Sequence, residues 1–337
     1  MSQDDPIGLC LAGRISPEVA LARLVLAGVS PERIAERVAA RLRGPAAAPP
    51  PDPLPRGKGE KDWFIAPPLA GGDGGGIFAA SAAASALGQL LERRRDGLAC
   101  LSRMVAESGF DHNCAATAPD LALAATRAAF DRAVARSPEA SVAAYSLGDP
   151  AILSAATAEL VAWLEAEALL DADADVLDFG CGIGRVAAAV APLCRSVLGV
   201  DLSPGMIAEA RRRHDFPNLR FAVTGGSELT GLPASGFDLV LAVDSFPYLV
   251  QAGRAVAERH VADAARLLRP GGVLAILNLS YRGDPAADRA DAKHWAAGYG
   301  FRLTRNGEAP FALWDGTAFV LRRVSRRRPG AALFRGS

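Results

Sequence analysis

Val176-Leu177-Asp178-Phe179-Gly180-Cys181-Gly182-Ile183-Gly184-Arg185 decides the fold of this chain. A short apolar run enters three glycines at alternate positions, and helix-forming residues follow from Arg185. Glycine lets a backbone turn tightly and approach a ligand where a Cβ would collide. The first turn of the following helix offers N–H groups with no partner inside the helix. A dinucleotide-binding loop of similar build usually spaces its glycines G-x-G-x-x-G. Here the spacing is G-x-G-x-G, with Asp178 two residues ahead of the first glycine. A carboxylate at that point repels a pyrophosphate and suits a cationic amino acid moiety.

Downstream of Asp171, short apolar strands alternate with helices. Val176-Leu177 is followed by Ser196 to Val200, Leu219 to Val223, Leu239 to Val243 and Val273 to Leu277. Helices are expected to start near Arg185, Pro204, Ala252 and Pro285. Such alternation predicts a parallel sheet covered on both faces. Phe301-Arg302-Leu303 and Thr317 to Leu321, with a turn at Asp315-Gly316, predict an antiparallel pair closing it. The expected fold is α/β: a doubly wound, mostly parallel seven-stranded sheet with an antiparallel C-terminal hairpin, preceded by an α-helical N-terminal region.

The segment Val176 to Arg185 resembles motif I of class I, Rossmann-like S-adenosylmethionine-dependent methyltransferases. Three further segments agree with that family in order and spacing. Gly199-Val200-Asp201-Leu202-Ser203 resembles its second strand, Phe237-Asp238-Leu239-Val240 the start of its fourth, and Leu267-Leu268-Arg269-Pro270-Gly271-Gly272 the turn into its fifth. The closing hairpin also belongs to that family. The likeness covers roughly the last 150 residues.

The resemblance implies S-adenosyl-L-methionine as cofactor and assigns residues to it. Gly180, Cys181, Gly182 and Gly184 would line its methionine and ribose portion, and Asp178 would meet the methionine amino group. Asp178 has an alternative role as a carboxylate bonded only to nearby backbone. Asp201, with Leu202 beside it, would hold the ribose hydroxyls, and Met206 would pack on the adenine. Many relatives carry Gly-Asp after the third strand, whereas this chain has Thr224-Gly225-Gly226-Ser227-Glu228. Either Ser227 or Glu228 takes the place of that acid. On the acceptor side, Asp244 and Tyr248 would border the sulfonium, and Tyr281 with Arg282 would orient a substrate. Asp244, Tyr248 and Tyr281 are the catalytic candidates, with Asp244 the candidate base. His260 lies mid-helix and reads as structural. His294 and Trp295 read as surface and packing residues.

Upstream, Ser16-Pro17-Glu18 and Ser30-Pro31-Glu32 each combine an N-cap hydroxyl, a proline at the first helical position and an early acid. They predict a helical hairpin over 1–43, with Gly28 ending its first helix. A Pro/Gly-rich linker over 44–76 follows, then a helical cap over 77–172, the methyltransferase domain over 173–325 and a basic tail over 326–337. Tyr145 and Leu147 are candidates to reach the pocket from the cap. His112 and Cys114 are near each other without further ligands, and no metal is expected.

Composition narrows the function. Acids and bases balance, 37 against 37, so no net field draws the chain to nucleic acid or an anionic membrane. The five cysteines Cys10, Cys100, Cys114, Cys181 and Cys194 form no CxxC pair and suggest free thiols. No signal peptide or membrane span is visible, which leads to the expectation of a cytoplasmic protein. Arginine outnumbers lysine heavily, as in a GC-rich bacterial genome. The expected activity is methyl transfer to a small molecule, with protein or RNA as the alternative acceptor and a non-catalytic cofactor-binding module as a more distant one.

Overall fold

The computed structural model describes residues 5–42, 76–109, 118–280 and 282–324, with residues 76–81 described as backbone only. The proline-rich linker, His112, Cys114, Tyr281 and the basic tail lie outside the described residues. In chain order the helices are α1 (Pro6–Leu11), α2 (Pro17–Leu26), α3 (Pro31–Leu42), α4 (Gly76–Arg93), α5 (Arg95–Ser108), α6 (Pro119–Arg136), α7 (Pro138–Val142) and α8 (Pro150–Ala166). Then β1 (Asp175–Phe179), α9 (Arg185–Val190), β2 (Ser196–Asp201), α10 (Pro204–Arg213), β3 (Leu219–Val223) and β4 (Phe237–Val243) follow. The chain continues through α11 (Phe246–Ala252), α12 (Arg254–Leu267), β5 (Leu268–Asn278), α13 (Pro285–Tyr299), β6 (Phe301–Glu308) and β7 (Thr317–Arg323). No helix among the described residues is long and apolar enough to cross a membrane.

The seven strands form one sheet in the order β3-β2-β1-β4-β5-β7-β6. Strands β1 to β5 pair in parallel, and β7 runs antiparallel to both β5 and β6. This is the expected fold class. The order reverses between β1 and β4, which opens a crevice at their C-terminal ends. The glycine loop follows β1 directly into that crevice.

Side-chain alternation along the strands sorts the core into two layers. Leu239 and Leu241 face one cluster, which also holds α8 and α9; Val240 and Ala242 face the other, with α12 and α13. Both faces are therefore apolar, as a buried parallel sheet requires. The helix starts follow their capping chemistry. The Ser16, Ser137 and Ser203 hydroxyls accept from Val19, Ala140 and Met206 N–H, and Asp149 and Asp284 do the same for α8 and α13.

The helix expected to start near Ala252 is α12, which begins at Arg254. A further short helix that the pattern did not indicate, α11, precedes it, and Gly253 at φ +134° separates the two. The break lets α11 pack against α6 and β5 while α12 covers the sheet face.

The N-terminal hairpin is not a satellite. Val19, Leu21, Leu24 and Val25 of α2 are buried in the same cluster as the sheet and the cap helices. Arg23, 3% exposed, donates from Nε at 2.9 Å to Asp315 in the β6–β7 connection. The most N-terminal helices and the last hairpin are thereby joined through a buried ion pair.

Candidate functional site

A cavity of about 210 Å³ opens at the crevice between β1 and β4. Its floor is the end of β1 and the glycine loop: Asp178, Phe179, Gly180, Cys181 and Gly182. Asp201, Leu202 and Met206 form one side, and Val243, Asp244, Ser245 and Tyr248 the other. The roof comes from the cap, with Leu123, Thr126 and Phe130 of α6, the run Ala140 to Ala144, and Met104 and Val105 of α5. Leu26 of the N-terminal hairpin also reaches the lining.

The loop holds its shape through glycine and through Asp201. Gly180 and Gly182 adopt φ of +73° and +53°, the left-handed region that L side chains avoid. A Cβ on Gly180 would lie 2.3 Å from the Ser245 Cβ, and one on Gly182 2.6 Å from Val142 Cγ1. The glycines thus let the β4 end and the cap close down on the loop. Asp201 accepts from Gly182 N–H at 2.9 Å and from Ser203 N–H at 2.8 Å. One carboxylate ties the glycine loop to the start of α10.

The cap is clamped to the same point. Asp131 of α6 accepts from the Ser203 hydroxyl at 2.5 Å and from Gly205 N–H at 2.9 Å. Phe130 on the neighbouring position meets the Tyr248 ring edge-on, with centroids 5.1 Å apart. The roof therefore contacts both walls.

Two carboxylates are buried at the cavity floor and side. Asp178 is 1% exposed and accepts from Ala187 N–H at 3.1 Å, which caps α9. Burial pushes its pKa up to about 7, against the opposing pull of Arg185 and the Ala187 bond. Asp201 is pushed up to about 6 by burial, against its backbone N–H bonds. A ligand bringing a cationic amino group and hydroxyl donors matches this pair. It would replace lost hydration of both carboxylates with charge-assisted hydrogen bonds. Cys181, buried beside them, has its thiol pushed well up by burial and by both acids, which disfavours the thiolate.

Asp244 follows β4 directly at φ +55°, an unfavourable region for a residue with a Cβ. Its backbone N–H donates at 2.7 Å to Leu277 O of β5. This bond across the strand ends holds the half-buried carboxyl at the cavity wall. Backbone strain of this sort is concentrated at functional sites.

Eight of the residues singled out in sequence meet at this cavity besides Asp244: Asp178, Gly180, Cys181, Gly182, Asp201, Leu202, Met206 and Tyr248. Gly184 does not line it. A Cβ there would lie 2.6 Å from the Phe221 ring, so Gly184 serves packing between α9 and β3. Ser227 and Glu228 are also outside the lining; Glu228 is exposed and accepts from Thr230. The lining there is Thr224 and Gly226, and the missing Cβ of Gly226 makes room for Leu202. Tyr145 and Leu147 are buried in the cap and do not line the cavity. His260 is buried with Nδ1 2.8 Å from Val256 O, His294 faces Glu258 at the surface, and Trp295 is buried edge-on against Phe246. The roof residues Phe130, Leu123 and Met104 carry no signal in the sequence, because they come from apolar faces of ordinary helices.

Known proteins resemble part of this chain. Residues 177–276 match a methyltransferase-domain family. A demethylmenaquinone methyltransferase of Tropheryma whipplei is 33% identical over 108 residues, which are 32% of this chain and 42% of that protein. The aklanonic acid methyltransferase DauC of a Streptomyces species is 36% identical over 112 residues, 32% of this chain and 49% of that protein. The chain thus spans less than half the length of these curated relatives. Among solved structures, phosphoethanolamine N-methyltransferase 1 of Haemonchus contortus is similar over 62% of this chain and 50% of its own, at 15% identity and a TM-score of 0.49. The unit that begins at β1 is a class I S-adenosylmethionine-dependent methyltransferase domain, and S-adenosylmethionine is the cofactor that its two buried carboxylates suit.

Proposed function

We propose that this protein transfers a methyl group from S-adenosylmethionine to a small molecule. The observation that carries the reading is the roof: α5, α6 and the Ala140 to Ala144 run cover the strand ends with apolar side chains. A covered, mainly apolar cavity admits a small acceptor and excludes a folded RNA or an extended peptide. The balanced charge supports the same reading.

When bound, the cofactor supplies an electrophilic methyl group on a sulfonium. Asp178 would hold its amino group, Asp201 its ribose hydroxyls, and Met206 and Leu202 its adenine side. The protein then has to align an acceptor lone pair with the methyl and exclude water. Phe130 and Tyr248 close the cavity opposite the loop and do the latter. Asp244, on the cavity wall, would take a proton from a phenolic or ammonium acceptor. Tyr281 remains a proposed acceptor contact.

A structure with S-adenosylhomocysteine bound tests the acceptor class. The expected result has the sulfur facing the space between Phe130, Val142 and Tyr248. A sulfur facing a broad open groove lined by arginines would instead require a macromolecular acceptor.

Asp244→Asn keeps the backbone, since asparagine tolerates the left-handed region. It removes the base, so kcat should fall roughly a hundredfold or more while the cofactor affinity changes little. An unchanged kcat with any turned-over acceptor that must lose a proton would remove Asp244 from that role.

Binding is also expected to release protons. Asp178 and Asp201 have pKa values raised to about 7 and about 6. An ammonium and hydroxyl donors favour the ionised carboxylates and lower both values. Affinity for S-adenosylhomocysteine should therefore weaken as pH falls from roughly 8 to roughly 5.5. Calorimetry in buffers of different ionisation enthalpy should detect net proton release near neutral pH. Net uptake would contradict the assignment of the two carboxylates.

A further inference from the structure

A second cavity of about 220 Å³ lies on the other side of the β5 end, between the N-terminal helices and the C-terminal hairpin. It shares no lining residue with the cofactor cavity. Buried Tyr145 stacks on Trp314 of this second cavity, with ring centroids 6.3 Å apart.

One wall of this second cavity is aromatic. Phe311 and Trp314 stack at 5.3 Å with an interplanar angle of 26°, and Phe319 adds a third ring to the lining. The other wall is charged. Its two acids already have arginine partners, Asp315 with Arg23 and Asp288 with Arg282 at 2.6 Å. Arg14 and Arg289 also line it. Arg289 makes no hydrogen bond or ion pair to a described residue. Its stem runs over Gly307, where a Cβ would lie 3.1 Å from Arg289 Cγ. Arg289 is half-buried and its stem is packed against this wall.

The Ser280 hydroxyl is a second, independent sign of a ligand. It lines the same cavity, is buried, and has no hydrogen-bond partner among the described residues. A buried hydroxyl left without a partner costs free energy that a bound acceptor would recover.

We propose that this cavity binds a small planar aromatic carboxylate. Its ring would lie against Phe311 and Trp314, and its carboxylate would accept from Arg289 and Ser280. An arginine matches a carboxylate with parallel N–H donors, and the aromatic wall supplies apolar contact for one or two rings. A cavity of about 220 Å³ has room for a molecule of that size. The proposal stands independently of the methyl-transfer reading, since no cofactor residue takes part in it.

The test uses the whole protein and 2-naphthoate as the probe, titrated calorimetrically with and without saturating S-adenosylhomocysteine. Binding to one site in both conditions is expected, with quenching of Trp314 fluorescence that Trp314→Phe removes. Arg289→Gln should weaken binding about tenfold and Arg289→Lys should restore part of it. Arg289 has no bond to lose, so both variants should fold, with circular dichroism as the check. Ser280→Ala should weaken binding severalfold, and neutral 2-naphthol should bind less well than 2-naphthoate. Displacement of the probe by S-adenosylhomocysteine would place it in the cofactor cavity and overturn the proposal. An unchanged affinity in Arg289→Gln, or no binding at millimolar probe, would overturn it as well.

Discussion

Asp201→Ala is expected to weaken S-adenosylhomocysteine binding at least a hundredfold. An ionised carboxylate has about four acceptor positions, of which Gly182 N–H and Ser203 N–H use two. The remaining two can accept both ribose hydroxyls. Each charge-assisted hydrogen bond lost is worth about 1.5–3 kcal/mol, so two correspond to roughly a hundredfold or more. The same substitution also frees the Gly182 N–H and loosens the floor of the cavity. Asp201→Asn keeps an acceptor for the loop and should fall between alanine and wild type. Calorimetry gives the dissociation constants, with circular dichroism as the control for folding. A wild-type dissociation constant in a folded Asp201→Ala protein would exclude the ribose role.

The second large effect is on stability. Arg23→Ala removes the partner of Asp315 in a region where Arg23 is 3% and Asp315 10% exposed. Breaking such a pair strands a buried charge and costs about 3–5 kcal/mol. Replacing Arg23 with methionine together with Asp315→Leu removes both charges and should recover most of that loss. Urea denaturation of the three proteins measures it. The helix that carries Arg23 also supplies Leu26 to the cofactor cavity. Cofactor affinity should therefore fall in the single variant as the hairpin loosens. A single variant as stable as wild type would show that α2 is held by its apolar face alone.

The parallel sheet was legible because its signals are local. Apolar runs of five residues such as Leu239 to Val243, with helix caps between them, specify strand and helix without reference to anything distant. The glycine loop was legible for the same reason. Gly180 and Gly182 need positive φ and a close approach, and only glycine supplies both. Asp178 and Asp201 stand out in the sequence because each lies at or next to the end of an apolar strand, where an acid has no packing use. Gly184 stands outside the cavity lining for a non-local reason. Its missing Cβ accommodates Phe221, which is 37 residues away in sequence but on the neighbouring layer.

What the sequence determined by itself was therefore the α/β sheet, the glycine loop after β1 and the place of two acids near the strand ends. Backbone conformation and period-two burial are properties of a few adjacent residues, and they are written into those residues directly. The tertiary structure alone decided the roof. Phe130, Met104 and Leu26 look like any apolar helix positions until α2, α5 and α6 are folded over the strand ends. It also decided that the N-terminal hairpin is part of the core, because the Arg23–Asp315 pair joins groups 292 residues apart. Contacts at that separation depend on how whole layers pack, and hydrophobic packing is not directional enough for one helix's sequence to name its neighbour.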